Sequence, residues 1–420
     1  MNKPNATLEG LLDKKTAALV FLTFAAAYSL SALIRAIIAT LSPVLSQEFS
    51  LQSRDLGLLA GGYFLGFAAT QLPLGTWLDK YGPKRVIVCF LALAVLGCLL
   101  FSSASSFTGL LVGRVLIGMG VSACLMAPLS GFRRWLDTPS LLRANSWMLM
   151  SGSLGMLAST LPVQWLLPLV GWRPMFWGLA GLLVVAMLVI VFVVPTWKIA
   201  PTSVGSPENS PSPDFNAGYS DIWKSRYFQK MSPLAFFNYG GLVAVQTLWA
   251  APWMVKVAGY TLLEAATGLF YINAAMLMTF WGWGLVNPYL AKAGWHTDRL
   301  LTWGVPLSLV ALAANILGGA STGWVGWAVF CVASTVMSLS QPAVGMAFKP
   351  AIAGRALSGF NLVIFAGVFT VQWGIGLLVD AFEALGLAQI ASFQAAFSVF
   401  LACCVAAYIY FLSVKDNSSQ

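Results

Sequence analysis

Two arginines stand inside long apolar stretches of this chain. Arg35 lies in Leu30-Ser-Ala-Leu-Ile-Arg-Ala-Ile-Ile-Ala39, and Arg114 in Gly109-Leu-Leu-Val-Gly-Arg-Val-Leu-Ile-Gly118. A guanidinium keeps its proton and presents a planar fork of donors that fits a carboxylate or phosphate on two prongs. In hydrocarbon such a charge is costly unless something answers it. None of the 14 Asp and Glu falls near the middle of an apolar stretch. Asp55, Asp79, Glu264, Asp380 and Glu383 sit at the ends of such stretches, and the others lie in termini or loops. Each arginine therefore either braces its own segment on carbonyls and amides, or waits for an anionic ligand. Both readings stay open for Arg114. For Arg35 the surrounding residues offer fewer reasons for a structural cation.

Neutral polar groups add to the set. Tyr239, Gln246 and Trp249 lie within three helical turns, and the spacing of Gln246 and Trp249 places them on one helix face. Tyr63, Gln71, Asn273, Asn361 and Gln372 are further candidates, although a lone amide in an apolar helix more often bonds a neighbouring helix. No Gly-x-x-x-x-Gly-Lys-Ser/Thr phosphate loop occurs, which argues against an ATP-driven pump. The single histidine, His296, cannot build a metal centre alone, and six cysteines in apolar stretches suit neither a disulfide framework nor a zinc site. No cofactor and no enzymatic activity are expected.

These side chains need elements to hold them. The chain has 420 residues, 59% hydrophobic and only 9% charged, where a soluble domain carries about 25% charged residues. Twelve stretches are long enough to cross a bilayer at about 20 residues each: 17–45, 55–78, 86–107, 108–132, 144–170, 173–197, 229–257, 263–291, 299–319, 323–349, 354–382 and 388–414. Inside a bilayer they must be helices. The fold class is thus an all-α polytopic membrane protein. We refer to the stretches as spans 1–12. Its expected parts are a tail (1–16), a six-helix bundle (17–197), a polar linker (198–228), a second six-helix bundle (229–414) and a short tail (415–420). Ile222, Trp223, Tyr227 and Phe228 suggest a short interfacial helix inside the linker.

Of the 23 Lys and Arg, 18 fall on the side of the termini, 3 on the other side, and Arg35 and Arg114 lie inside spans. The positive-inside rule then places both termini in the cytoplasm, and the net charge of +9 records topology rather than a nucleic-acid partner. Arg35 and Arg114 come at one level, roughly 8 Å outward of the bilayer centre at 1.5 Å per residue. Val163-Gln164-Trp165 recurs as Val371-Gln372-Trp373 in the corresponding span of the second half, a trace of duplication.

The polar turn Gly75-Thr76-Trp77-Leu78-Asp79-Lys80-Tyr81-Gly82-Pro83-Lys84-Arg85 joins spans 2 and 3. Gly75 and Gly82 are suited to close helix approach and sharp reversal. Its spacing resembles the loop 2–3 signature of the major facilitator superfamily. Arg114-Val-Leu-Ile-Gly118-Met-Gly120 and Gly171-Trp172-Arg173 are similar to further signatures of that family. The resemblance implies two six-helix bundles that rock about a central cavity lined mainly by spans 1, 4, 7 and 10. By that resemblance Arg35, Arg114 and Gln246 become candidate cavity residues, and with Tyr63, Tyr239, Trp249 and Asn361 from the polar set they are the candidate substrate-binding residues. Gly75, Asp79, Gly82, Lys84, Arg85, Arg133 and Arg134 become candidate gating residues. Arg35 and the run from Leu56 to Gly75 are similar to the anion:cation symporter branch, whereas span 5 lacks the Gly-Pro pair of drug exporters. The expected function is secondary transport of a small organic anion, a carboxylate above all, with protons as possible co-substrate, in a bacterial inner membrane and as a monomer. An anion exchanger or uniporter, a drug or metabolite exporter and a non-transporting receptor are the alternatives.

Overall fold

In hydrocarbon an apolar run must satisfy its own backbone, and the chain folds accordingly. The structure, a computed structural model, describes residues 11–195 and 215–414, and their regular structure is helical throughout. The expected tails and most of the expected linker lie outside the described residues. Span 1 is Lys14–Phe49. Asp13 caps it, accepting from the backbone N–H groups of Lys15 and Thr16. The Thr16 hydroxyl and N–H hold the Asp13 carboxyl below its usual range.

Among the described residues ten helices are long and apolar enough to cross a membrane, and the bent pair 143–158 and 161–170 makes an eleventh. The remaining passage is span 2: Ser53–Ala69 is interrupted at Thr70 and resumes in the helix that begins at Gln71. Twelve passes result, at the places the hydropathy marks. Spans 4 and 10 are likewise stitched from shorter helices, Phe107–Val121 with Ala123–Trp135 and Trp324–Ser334 with Ser340–Met346. Span 7 starts at Arg226, not at 229, because Tyr227 and Lys230 both bond Asp298 at the foot of span 9 and hold that turn helical. Tyr227 and Phe228 thus belong to span 7. Ile222 lies in a separate helix, Phe215–Lys224, and both Ile222 and Phe228 are fully buried.

The spans alternate in direction, so the bundle has a side shared by the termini and a far side. Gly82, with φ of 76°, turns the chain on the terminal side, and Pro83 opens span 3 with its φ already set. Gly75 does not perform the close approach expected of it: a Cβ there would meet nothing within 4 Å. The close approaches of span 2 fall further along. A Cβ on Gly57 would overlap the Gln372 carbonyl of span 11, and one on Gly376 would overlap Ser53 of span 2. Spans 2 and 11 therefore meet main chain to main chain on the far side. There Asp380, near the end of span 11, accepts the N–H groups of Ser53 at 3.0 Å and Arg54 at 2.9 Å. An acid from one half thus caps the first turn of a helix in the other, where the helix dipole favours negative charge. The far part of span 1 packs on span 7 beside it. The glutamines of both copies of the repeated tripeptide lie at this seam: Gln164 lines a small gap with Ala251, Val255 and Leu262, and the Gln372 carbonyl lies against Gly57. The two halves are closed together on the far side.

Candidate functional site

Arg114 is fully buried, and its guanidinium is turned onto span 1. Nη1 donates to the Ile34 carbonyl at 2.8 Å and Nη2 to the Arg35 carbonyl at 3.2 Å. The Tyr63 ring lies 5.1 Å from its charge centre, within cation–π range. Gly118 permits this arrangement, since a Cβ there would overlap the Tyr63 carbonyl. The Tyr63 hydroxyl is buried beside Ser31 without a hydrogen bond of normal geometry. Arg114 and Tyr63 thus tie spans 4, 2 and 1 together at the level of Arg35.

Arg35 has a different setting. Its side chain is half-buried, and its Nη2 donates to the sulfur of Met156 at 3.7 Å. A thioether is a weak acceptor. The Arg35 Nε is buried with no partner, and no carboxylate among the described residues pairs with the charge. Gly152 and Gly155 put Met156 there: a Cβ on Gly155 would overlap the Ser29 carbonyl, and one on Gly152 would strike the Tyr28 ring. Small residues at this spacing let span 5 press against span 1, so the next side chain, Met156, faces Arg35.

The other half supplies Gln246. Span 7 is wound as a π-helix over Ala235–Tyr239 and again over Val245–Trp249, a distortion frequent at functional sites. Gln246 Nε2 donates to Asn273 Oδ1 at 2.8 Å and to the same Met156 sulfur at 3.8 Å. Asn273 is fixed in turn by its bond to the Leu269 carbonyl. The Tyr239 hydroxyl lies within electrostatic reach of both Arg35 and Tyr28. Arg35, Met156, Gln246 and Asn273 therefore form one cluster between the halves.

Trp249 stands apart from it. Its indole N–H donates to the Gln372 carbonyl at 3.1 Å and its ring packs on Phe393. The shared face expected of Gln246 and Trp249 is not formed, because the π-turn breaks the 3.6-residue register on which that expectation rests. Asn361 is also elsewhere, accepting from Gln341 Nε2 at 2.5 Å in the terminal half of span 11. The expected gating residues gather on the terminal side. Asp79 is in the last turn before Gly82, and its side chain lies outside the described residues. Lys84 and Arg85 open span 3, while Arg133 and Arg134 occupy the last turn of span 4. Met156 and Tyr28 were not singled out from sequence. The Gly152 and Gly155 pair was the available signal, read there only for the proline it lacks.

Comparison with known proteins places this geometry. The family profile described as Major Facilitator Superfamily matches residues 24–370. The chain is 26% identical over 328 residues to the inner membrane transport protein YajR of Escherichia coli, covering 74% of this chain and 66% of that protein. It is 28% identical over 180 residues to the multidrug resistance protein MdtL of Escherichia coli, covering 40% of this chain and 44% of MdtL. These matches span less than two thirds of either relative. Among solved structures, a bacterial homolog of the human lysosomal transporter Spinster, inward-facing and unoccupied, superposes with a TM-score of 0.76 at 18% identity, covering 96% of this chain and 97% of that one. A D-xylose–proton symporter superposes with a TM-score of 0.75 at 14% identity, covering 96% and 98%. With its twelve helical passes, the Gly82 reversal and a polar cluster between two halves, the chain belongs to the Major Facilitator Superfamily.

Proposed function

We propose that the protein is a secondary transporter of a small organic anion, whose carboxylate is held by Arg35 as the halves open alternately to either side. The observation that carries this reading is the state of Arg35: a half-buried guanidinium at the seam, with a thioether in place of an anion and a buried Nε lacking any acceptor. Arg114 is not the ligand's partner in this reading: its Nε is buried without an acceptor like that of Arg35, but its Nη1 and Nη2 are both committed to carbonyls. The distribution of basic residues supports a cytoplasmic terminal side, and in this reading the closed far side faces outward. The localisation is the inner membrane of a bacterium, as the name of the relative YajR suggests.

The test is uptake of radiolabelled organic acids into proteoliposomes. Arg35→Lys keeps the charge but loses the fork, and is expected to raise KM at least tenfold. Arg35→Ala is expected to abolish saturable uptake while still inserting and folding. Near-normal uptake by Arg35→Ala would sink the assignment. A second reading, export of drugs, is favoured by the similarity to MdtL. Competition separates the two: lipophilic cations should not displace an anion held by Arg35, and should displace a drug substrate.

A further inference from the structure

We infer that the Arg35 site accepts one negative charge only, a monocarboxylate whose oxygens replace the Met156 sulfur as the common acceptor of Arg35 and Gln246. The inference rests on the proposed role of Arg35 and adds the charge and binding mode of the substrate. Two observations carry it. The first is the shared sulfur. Arg35 Nη2, from the first half, and Gln246 Nε2, from the second, converge on Met156 Sδ at 3.7 and 3.8 Å. A thioether satisfies neither donor well, whereas a carboxylate oxygen satisfies both with charge assistance. Methionine is unbranched with three rotatable bonds, so it can swing aside when a better acceptor arrives. A carboxylate seated there would be gripped by both halves at once.

The second observation is the inventory of cations at this depth. Arg114 is spent on the Ile34 and Arg35 carbonyls, and Lys230 pairs with Asp298 at 2.7 Å on the terminal side. Among the described residues that leaves Arg35 as the guanidinium available to a ligand in the cluster. Around it stand the Gln246 amide, the Asn273 amide already bonded to Gln246, and the Met156 thioether. These groups suit a neutral or apolar remainder. A second carboxylate would be buried there without a counter-charge, which is strongly unfavourable.

Matched acids test this on the full-length purified protein. Hexanoate, adipate and monomethyl adipate keep similar length and vary the charge, and benzoate against terephthalate does the same for rigid ligands. Binding is read as thermal shift and as isothermal titration. The monoanions are expected to bind at least tenfold more tightly than the dianions, which corresponds to about 1.4 kcal/mol, and esterifying one end of adipate should restore binding. Met156→Leu keeps the volume and removes the competing acceptor, so it should tighten monoanion binding severalfold. Adipate binding as tightly as its monomethyl ester would overturn the single-charge inference and leave the Arg35 reading standing. Weaker binding to Met156→Leu would overturn the displacement of the sulfur. Absence of any acid binding that Arg35→Gln removes would overturn the inference together with the reading beneath it.

Discussion

Arg35 and Arg114 are the same residue at the same depth, and their surroundings assign them opposite duties. Arg114 spends two donors on carbonyls of span 1 and lies against the Tyr63 ring. Arg35 meets one sulfur. Hydrogen bonds made by a charged group contribute roughly 1.5–3 kcal/mol each, so the two sites should answer substitution differently. Arg114→Met keeps much of the stem and loses both bonds. It is expected to lower the melting temperature of the purified protein while leaving the substrate affinity of the surviving fraction within about twofold. Arg35→Gln should do the reverse, with normal melting and lost affinity. A large affinity loss in Arg114→Met at unchanged melting temperature would show that Arg114 touches the substrate. Sequence shows both cations and the want of carboxylates at their depth. It does not separate them, because the acceptors of Arg114 are main-chain carbonyls, which every residue owns. The same holds for Asp380: its partners are two N–H groups of span 2, and no side-chain type announces them.

Helices in this fold are legible by hydropathy and less so by winding. The reversal at Gly82 could be read directly, since a positive φ ahead of proline asks for glycine. The π-turns of span 7 could not be read, because a shifted hydrogen-bond register leaves no mark on apolar spacing. They turn Gln246 toward Asn273 and Met156 and Trp249 toward the Gln372 carbonyl and Phe393. Glycines in spans 2 and 11 do more than fill space, for they bring the two main chains into contact on the far side. Gly57 touches the Gln372 carbonyl, and a Cβ there has only backbone to push against. Gly57→Val is therefore expected to hold the far side apart and shift the population toward the state open on that side. Paired spin labels at far-side positions of spans 1 and 7 would show the longer distance increase in weight. An unchanged distance distribution in Gly57→Val would mean that this contact does not govern closure. Gly75→Ala, by contrast, should leave the distribution as it is, since a Cβ at 75 meets nothing within 4 Å.

In the transport reading proposed above, any link between rocking of the halves and an energy source is restricted by the molecule as a whole. The described spans hold no Asp, Glu or His near the middle of the bilayer, and arginine stays protonated throughout a cycle. A proton that crosses with the substrate must then ride on the substrate itself or on an acid at the edge. We propose Asp380 for the second role. Its carboxylate belongs to one half and holds the first turn of span 2 in the other, at 3.0 and 2.9 Å. Facing it are Arg54 and Asp55, which pair with each other, and Glu383 follows within a turn. Loss of that charge would weaken the cap on a helix N-terminus and loosen the far-side lock. The prediction is made on proteoliposomes with an imposed pH gradient and no internal substrate. The unaltered protein should accumulate substrate under the gradient. Asp380→Asn can still accept one N–H but carries no charge, so it should retain exchange of internal for external substrate and lose gradient-driven accumulation. Full accumulation by Asp380→Asn would remove Asp380 from coupling. Flux in the unaltered protein that requires internal counter-substrate would establish an exchanger, and the far-side carboxylate would then act as a lock alone.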